Sequence, residues 1–197
     1  MRDKWYGDNR DLVKWGVLLA LAERSEAKHI LQVPYYRETE WPELELDGER
    51  VSLPTAVIRH FRWVPGIVKI EASVPIEVMT EPFSDRGDYQ RAVIERIRRR
   101  PAAPGIVFLD PDIGLASRRP SLNHVLDREV AELWRELTIG DLLVLYQHQT
   151  NRNGRGWIPG KKKQFAQAIG CPLGSVNLAR CEKIARDVVL FYAQKAG

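Results

Sequence analysis

The apolar run Ile106 to Leu109 ends abruptly in Asp110-Pro111-Asp112, with Ile113 and Gly114 following. Two carboxylates cannot continue into the same dry interior unless they are paired or hydrogen-bonded. They belong at the C-terminal end of a buried parallel strand, the edge at which open α/β sheets bind ligands. Separated by one residue, the pair can present two oxygens to Mg²⁺ or Mn²⁺. Alternatively, one carboxylate can accept a hydrogen bond from an amino or hydroxyl group of a substrate. Pro111 stiffens the turn, and Gly114 permits backbone geometry closed to other residues. The plainer alternative is an acidic cap on the next helix followed by a turn.

A second group, Tyr146-Gln147-His148-Gln149 followed by Arg152, ends another apolar run and should open on the same edge. His148 has the chemistry of a general acid or base. Arg152 can grip a phosphate or carboxylate through two parallel hydrogen bonds. A third group, Asp8, Asp11 and Lys14, stands at the start of an amphipathic stretch. Its turn can close over a ligand, whereas a simple helix-surface ion pair between Asp11 and Lys14 is the competing reading. The candidate catalytic residues are therefore Asp110, Asp112 and His148. Asp8, Asp11, Lys14, Gln147 and Arg152 are candidates for substrate binding. His29, His60 and His124 lack such placement and read as structural.

With 197 residues and a net charge of +4, the chain favours an anionic partner, a nucleotide or nucleic acid. Arg152, Arg155 and Lys161 to Lys163 concentrate charge in and beyond a Gly/Asn-rich loop after a strand, where function gathers. No apolar stretch approaches membrane-spanning length, and Trp15 to Ala22 is short and flanked by charge. No signal-peptide core follows Met1, and Cys171 and Cys181 make neither a metal spacing nor a disulfide framework. A reducing, cytoplasmic location is the expectation. There is no Walker sequence, no Gly-x-Gly-x-x-Gly after the first strand, no zinc set and no nucleophile elbow.

These residues need elements to hold them. Helical spacing predicts a helix from Asn9 to Ala22, and Lys28 to Val33 reads as a strand. An irregular insertion at about residues 34–54 follows, with a turn signal at Asp47-Gly48 that suits a loop or small hairpin. A short helix fits Thr55 to Trp63, and strands fit Gly66 to Ile70 and Ile76 to Met79, the former being also readable as a helix end. Then come a helix at Asp85–Arg100, the strand at Ile106–Leu109, a helix at Leu126–Leu137 and a strand at Asp141–His148. A helix at Pro159–Ile169 and strands at Ser175–Cys181 and Val188–Ala193 close the chain. Alternating strands and helices predict a mostly parallel sheet in a three-layer α/β sandwich, ending in an antiparallel pair and forming a single domain.

The motifs carry two resemblances. Gly7, Asp8, Asp11, Lys14 and Trp15, then Asp110 to Gly114, then Tyr146, Gln147, His148 and Arg152 resemble a family of uncharacterised bacterial and phage proteins. Its members show Gly-Asp-x-x-Asp-x-x-Lys-Tyr, Asp-Pro-Asp-Asn-Gly and Tyr-Gln-His followed by arginine, so Trp15 and Ile113 are departures. More distantly, the chain resembles Rossmann-like methyltransferases that modify adenine amino groups in ribosomal RNA. Asp8, Asp11 and Lys14 match their helix before the first strand, and Asp110-Pro111 matches the start of their Asp-Pro-Pro-Tyr motif. Asp112 and Ile113 replace the last two residues of that motif, and Val33-Pro34-Tyr35-Tyr36 stands where those enzymes have a Gly-rich cofactor loop. The resemblance implies a Rossmann-like, methyltransferase-like fold, S-adenosylmethionine as a cofactor and a nucleotide or nucleic acid as substrate. The residues themselves leave two alternatives open: a metal-dependent phosphoryl-transfer or hydrolytic enzyme holding Mg²⁺ or Mn²⁺ on Asp110 and Asp112, and a non-enzymatic nucleic-acid-binding module.

Overall fold

A 3-10 turn at Asp3–Trp5 leads into helix α1, Asn9–Ser25. The computed structural model describes residues 2–117, 119–151 and 156–197, so Arg118, Arg152 and Arg155 lie outside the described residues. Asp8 caps α1, its carboxylate accepting from the backbone N–H groups of Arg10 and Asp11. The helix runs past Ala22 to Ser25 and ends where Glu26 turns left-handed at φ 55°.

Strand β1 is Ile30–Val33. The excursion after it contains a hairpin, β2 (Leu44–Leu46) with β3 (Glu49–Val51), whose Asp47-Gly48 turn has φ of 52° and 87°. Positive φ at both central residues is what a two-residue hairpin turn of type I′ requires. Helix α2, Thr55–Phe61, follows as the sequence suggests. Of the two readings of Gly66–Ile70, the strand is corrected and the helical alternative holds: Val64–Lys69 forms a 3-10 helix. Pro65 at its start has the φ of a helical first turn and no N–H for a sheet ladder, and Ile67 packs under α1 instead.

The remaining elements are β4 (Ile76–Val78), α3 (Arg86–Arg98), β5 (Ile106–Leu109), β6 (Gly114–Leu115), β7 (His124–Val125), α4 (Asp127–Glu136), β8 (Leu142–His148), α5 (Trp157–Ala168), β9 (Asn177–Ala179) and β10 (Val188–Gln194). The main sheet has the order β4-β1-β5-β8-β10-β9. Its first four strands run parallel, with Ile30 beside Ile106 and Ile106 beside Leu142. β10 returns antiparallel to β8 and to β9, the closing pair expected from the sequence. The result is a mixed α/β fold with a mostly parallel central sheet flanked by helices. β6 and β7, a two-residue parallel pair, are too short to leave a periodic signal.

Strand alternation sorts the core into two sets. Leu31, Val107, Leu109, Leu143 and Leu145 pack with Val93 and Ile97 of α3, Val130 and Leu133 of α4, and Phe165 of α5. Ile30, Ile106, Phe108, Val144 and Leu190 pack with Val13, Leu18 and Leu21 of α1 and with Ile67. At the N-terminal end of the parallel strands, Asp141 accepts from the N–H groups of Gly105 and Thr138 and from Arg100, each at 2.9 Å. That end is closed by structural bonds, whereas Asp110 and His148 lie at the other end.

Candidate active site

Asp110 lies one residue beyond β5 and is only 1% exposed. A bare carboxylate there is prohibitively costly, so its partners matter. Its Oδ1 pairs with Lys14 Nζ at 2.8 Å, and its Oδ2 accepts from Gln32 Nε2 at 2.9 Å. Lys14, on α1, also pairs with Asp11 Oδ1 at 3.1 Å and sits 4.3 Å from the centre of the Tyr146 ring. Asp11 in turn accepts from the N–H of Gly7 at 2.6 Å. Burial works against the Lys14 charge, but Asp110 and Asp11 outweigh it and hold the ammonium above the ordinary lysine value. Burial raises the Asp11 carboxyl, and Lys14 opposes that shift only in part. The competing surface-pair reading of Asp11 and Lys14 is therefore replaced by a buried network joining α1, β1 and β5.

His148, at the end of β8, faces oxygen acceptors with both ring nitrogens: Gln149 O at 3.1 Å and Asp187 Oδ2 at 3.1 Å. Arg10 of α1 reaches the same Asp187 through Nε at 3.2 Å and binds Asp8 through Nη1 at 3.0 Å. Burial works against the Asp187 charge, but the hydrogen bond and charge of Arg10 prevail and hold its carboxyl below the ordinary range. A depressed folded pKa contributes stability above the unfolded value, about 3.9, and loses it as pH falls through the folded value. Asp187→Asn should therefore melt earlier than the parent at neutral pH. The two melting curves should converge as pH falls below the ordinary aspartate range and through the depressed folded value. Parallel curves at every pH would remove Asp187 from the acid response.

Asp112 pairs with Arg37, which also donates to Asn123. Gln147 points to the opposite side of β8 from Tyr146 and His148. Its Oε1 accepts from Leu115 N at 2.9 Å and its Nε2 donates to Ile113 O at 3.0 Å, so it holds the loop that carries Asp112.

Asp8, Lys14, Asp110, Asp112 and His148 line one cleft of about 450 Å³, together with Arg2, Lys4, Trp5, Arg10, Asn123 and Tyr146. That volume lies within the range of small-ligand sites, about 300–1,000 Å³. Asp11 and Gln147 stand behind the wall of the cleft, and Arg152 lies outside the described residues. No protein-family model matches this chain, and no curated protein matches it. The site rests on its own geometry.

Neither group expected at the site is matched by its residues. A divalent ion on Asp110 and Asp112 would have to displace Lys14 and Arg37, because each carboxylate already faces a protein cation. Among the described residues no group of three or more His, Cys, Asp or Glu side chains is placed to hold a metal ion. For S-adenosylmethionine, the end of β1 would have to offer open backbone. Instead Tyr35, at φ 49°, packs its buried ring 5.2 Å from Phe83 and 5.4 Å from Tyr89. Asp3 closes over the same end by accepting from Tyr36 Oη at 2.6 Å and Val64 N at 3.0 Å.

Four residues of the cleft carry weak sequence signals. Arg10 was within reach of inference, since it lies between Asp8 and Asp11 in the cap of α1. Arg2, Lys4 and Trp5 reach the cleft only because Asp3 is tied to Tyr36 and Val64, contacts between residues far apart in the chain.

Proposed function

We propose that this chain is an enzyme of Rossmann-like, methyltransferase-like three-layer architecture whose cleft binds a nucleotide unit, either free or within a nucleic acid. The observation that carries the reading is the company the cleft keeps. Arg2 and Lys4 line it with no carboxylate partner among the described residues, and Arg2 Nε is buried with no acceptor there. Trp5, 53% exposed beside them, offers a stacking face for a base. Beneath them lies the buried Lys14–Asp110–Gln32 network. A surface that only attracts phosphate has no need of such a floor, and buried charge networks gather at sites of chemistry. The architecture is supported by α1 preceding β1, by the mostly parallel sheet, by the Asp-Pro turn after a central strand and by the closing antiparallel pair. Because neither a metal nor S-adenosylmethionine is matched by the residues, no step is assigned to either.

The test is calorimetric titration with the four ribonucleoside 5′-monophosphates and, separately, with S-adenosylmethionine. At least one nucleotide should bind at micromolar strength. Arg2→Ala and Trp5→Ala should each weaken that binding about tenfold without lowering the melting temperature. No heat from any nucleotide would end the nucleotide reading. Binding of S-adenosylmethionine that Asp110→Ala abolishes would replace it with methyl transfer.

A further inference from the structure

Resting on the nucleotide reading above, we propose that the Tyr146 hydroxyl is a ligand-contacting group and that it donates to a phosphate oxygen of the nucleotide. In the run Tyr146-Gln147-His148, Gln147 and His148 have their polar atoms engaged by protein groups. Tyr146 differs. Its side chain is almost fully buried, with the ring against the Lys14 ammonium, and it lines the cleft. Its hydroxyl has no hydrogen-bond partner among the described residues, yet it is not among the sealed, unsatisfied atoms of the interior. The hydroxyl therefore opens on the cleft. A buried tyrosine hydroxyl ordinarily finds a partner, and here the remaining place for one is the ligand.

The chemical class of that partner follows from which hydrogen-bonding groups are still available. The carboxylates and the amide oxygen around the cleft are engaged. Asp110 faces Lys14 and Gln32, Asp112 faces Arg37, Asn123 accepts from Arg37, and Asp8 accepts from Arg10 and from α1. What remains is donors: the Arg2 guanidinium, the N–H groups of Arg10 not directed at Asp8 or Asp187, and the Tyr146 hydroxyl. A ligand that satisfies them brings acceptors and negative charge, which is a phosphate and not a base edge or a sugar hydroxyl. Burial raises the Tyr146 phenol, with the Lys14 charge opposing, so it stays protonated and keeps its donor role. β8 is hydrogen-bonded on both sides, by β5 and β10, so the hydroxyl is held in position before the ligand arrives.

Tyr146→Phe removes this one atom and leaves the ring on Lys14. Titration of parent and variant with the four ribonucleoside 5′-monophosphates, and with the corresponding nucleosides, reads the effect. The variant should bind its best nucleotide about tenfold more weakly. Any nucleoside binding shown by the parent should be unchanged, and so should the melting temperature. Nucleotide affinity within twofold of the parent would overturn the assignment while leaving the nucleotide reading in place. Equal loss of nucleoside and nucleotide, or a loss that tracks a lowered melting temperature, would overturn it too, since the hydroxyl would then serve the base or the fold. A parent that binds no nucleotide would take down the nucleotide reading itself, and this assignment with it.

Discussion

Replacing Lys14 by methionine should lower the melting temperature by on the order of 10 °C. Methionine keeps an unbranched apolar stem of nearly the same length, so packing around it changes little. What disappears is the cation between Asp110 and Asp11, which it meets at 2.8 Å and 3.1 Å. Removing one partner of a buried pair leaves an uncompensated charge and costs about 3–5 kcal/mol. In a domain of this size each kcal/mol moves the midpoint by about 2–4 °C. The effect also has a sign in pH. Burial already holds the Asp11 carboxyl above its ordinary value, Lys14 opposes that shift, and the Asp110 charge adds to it. Without Lys14 the folded pKa rises further. A raised carboxyl contributes stability below its unfolded value and loses it as pH rises. The gap between Lys14→Met and the parent should therefore be widest near pH 7 and narrow toward about pH 4, as thermal melts at stepped pH can measure. Adding Asp110→Asn should recover part of the loss at neutral pH, because the second orphaned charge is then gone. A variant that melts with the parent at every pH would mean that water reaches the network and solvates it.

The same network shows what the sequence made legible and what it did not. The strand at Ile106–Leu109 and its carboxylate ending were readable because a fully buried strand is a continuous apolar run, and a run that stops at two acids marks its exit. Lys14 and Asp11 were visible as residues, but their destination was not. A helix spacing of three predicts an ion pair on a surface, and only the docking of α1 onto the sheet brings Asp110 into it. Gln147 was visible as polar at a strand end, yet its direction was hidden. Alternation points it away from Tyr146 and His148, toward β6, a strand of two residues with no pattern of its own. Gly66–Ile70 reads equally as a strand or a helix end because a short apolar run has no period that separates the two, and Pro65 decides locally for the helical form. Arg2, Lys4 and Trp5 were beyond sequence reasoning, since nothing in residues 2–5 announces that they fold back over Tyr36 and Val64.

Gly114→Ala should be as damaging as the loss of Lys14, through the backbone and not through charge. Gly114 has φ of 117°, where a side chain is strained whatever space surrounds it. Space is lacking too: an added Cβ would stand 2.5 Å from Gln147 Cδ and Oε1. Gln147 cannot swing aside cheaply. It is fully buried, and its amide holds Leu115 N, Ile113 O and His148 O at 2.9, 3.0 and 2.8 Å. Backbone strain and overpacking cost about 1–3 kcal/mol each, so the sum should reach about 3 kcal/mol or more. The damage should also spread to the cleft. Gly114 ends the loop that carries Asp112 and Ile113, and Gln147 is what fixes that loop to β8. Loss of nucleotide binding should therefore accompany the lowered melting temperature, even though neither Gly114 nor Gln147 lines the cleft. Gly16→Ala is the matching control. Gly16 lies within α1, with nothing within 4 Å of an added Cβ, so alanine there should stabilise the protein by about 0.5–1 kcal/mol through helix propensity. Opposite signs at the two glycines would tie the fall at Gly114 to its φ and to Gln147. A Gly114→Ala protein as stable as the parent would mean that the loop adopts a second path, and that Asp112 is not held where the cleft needs it.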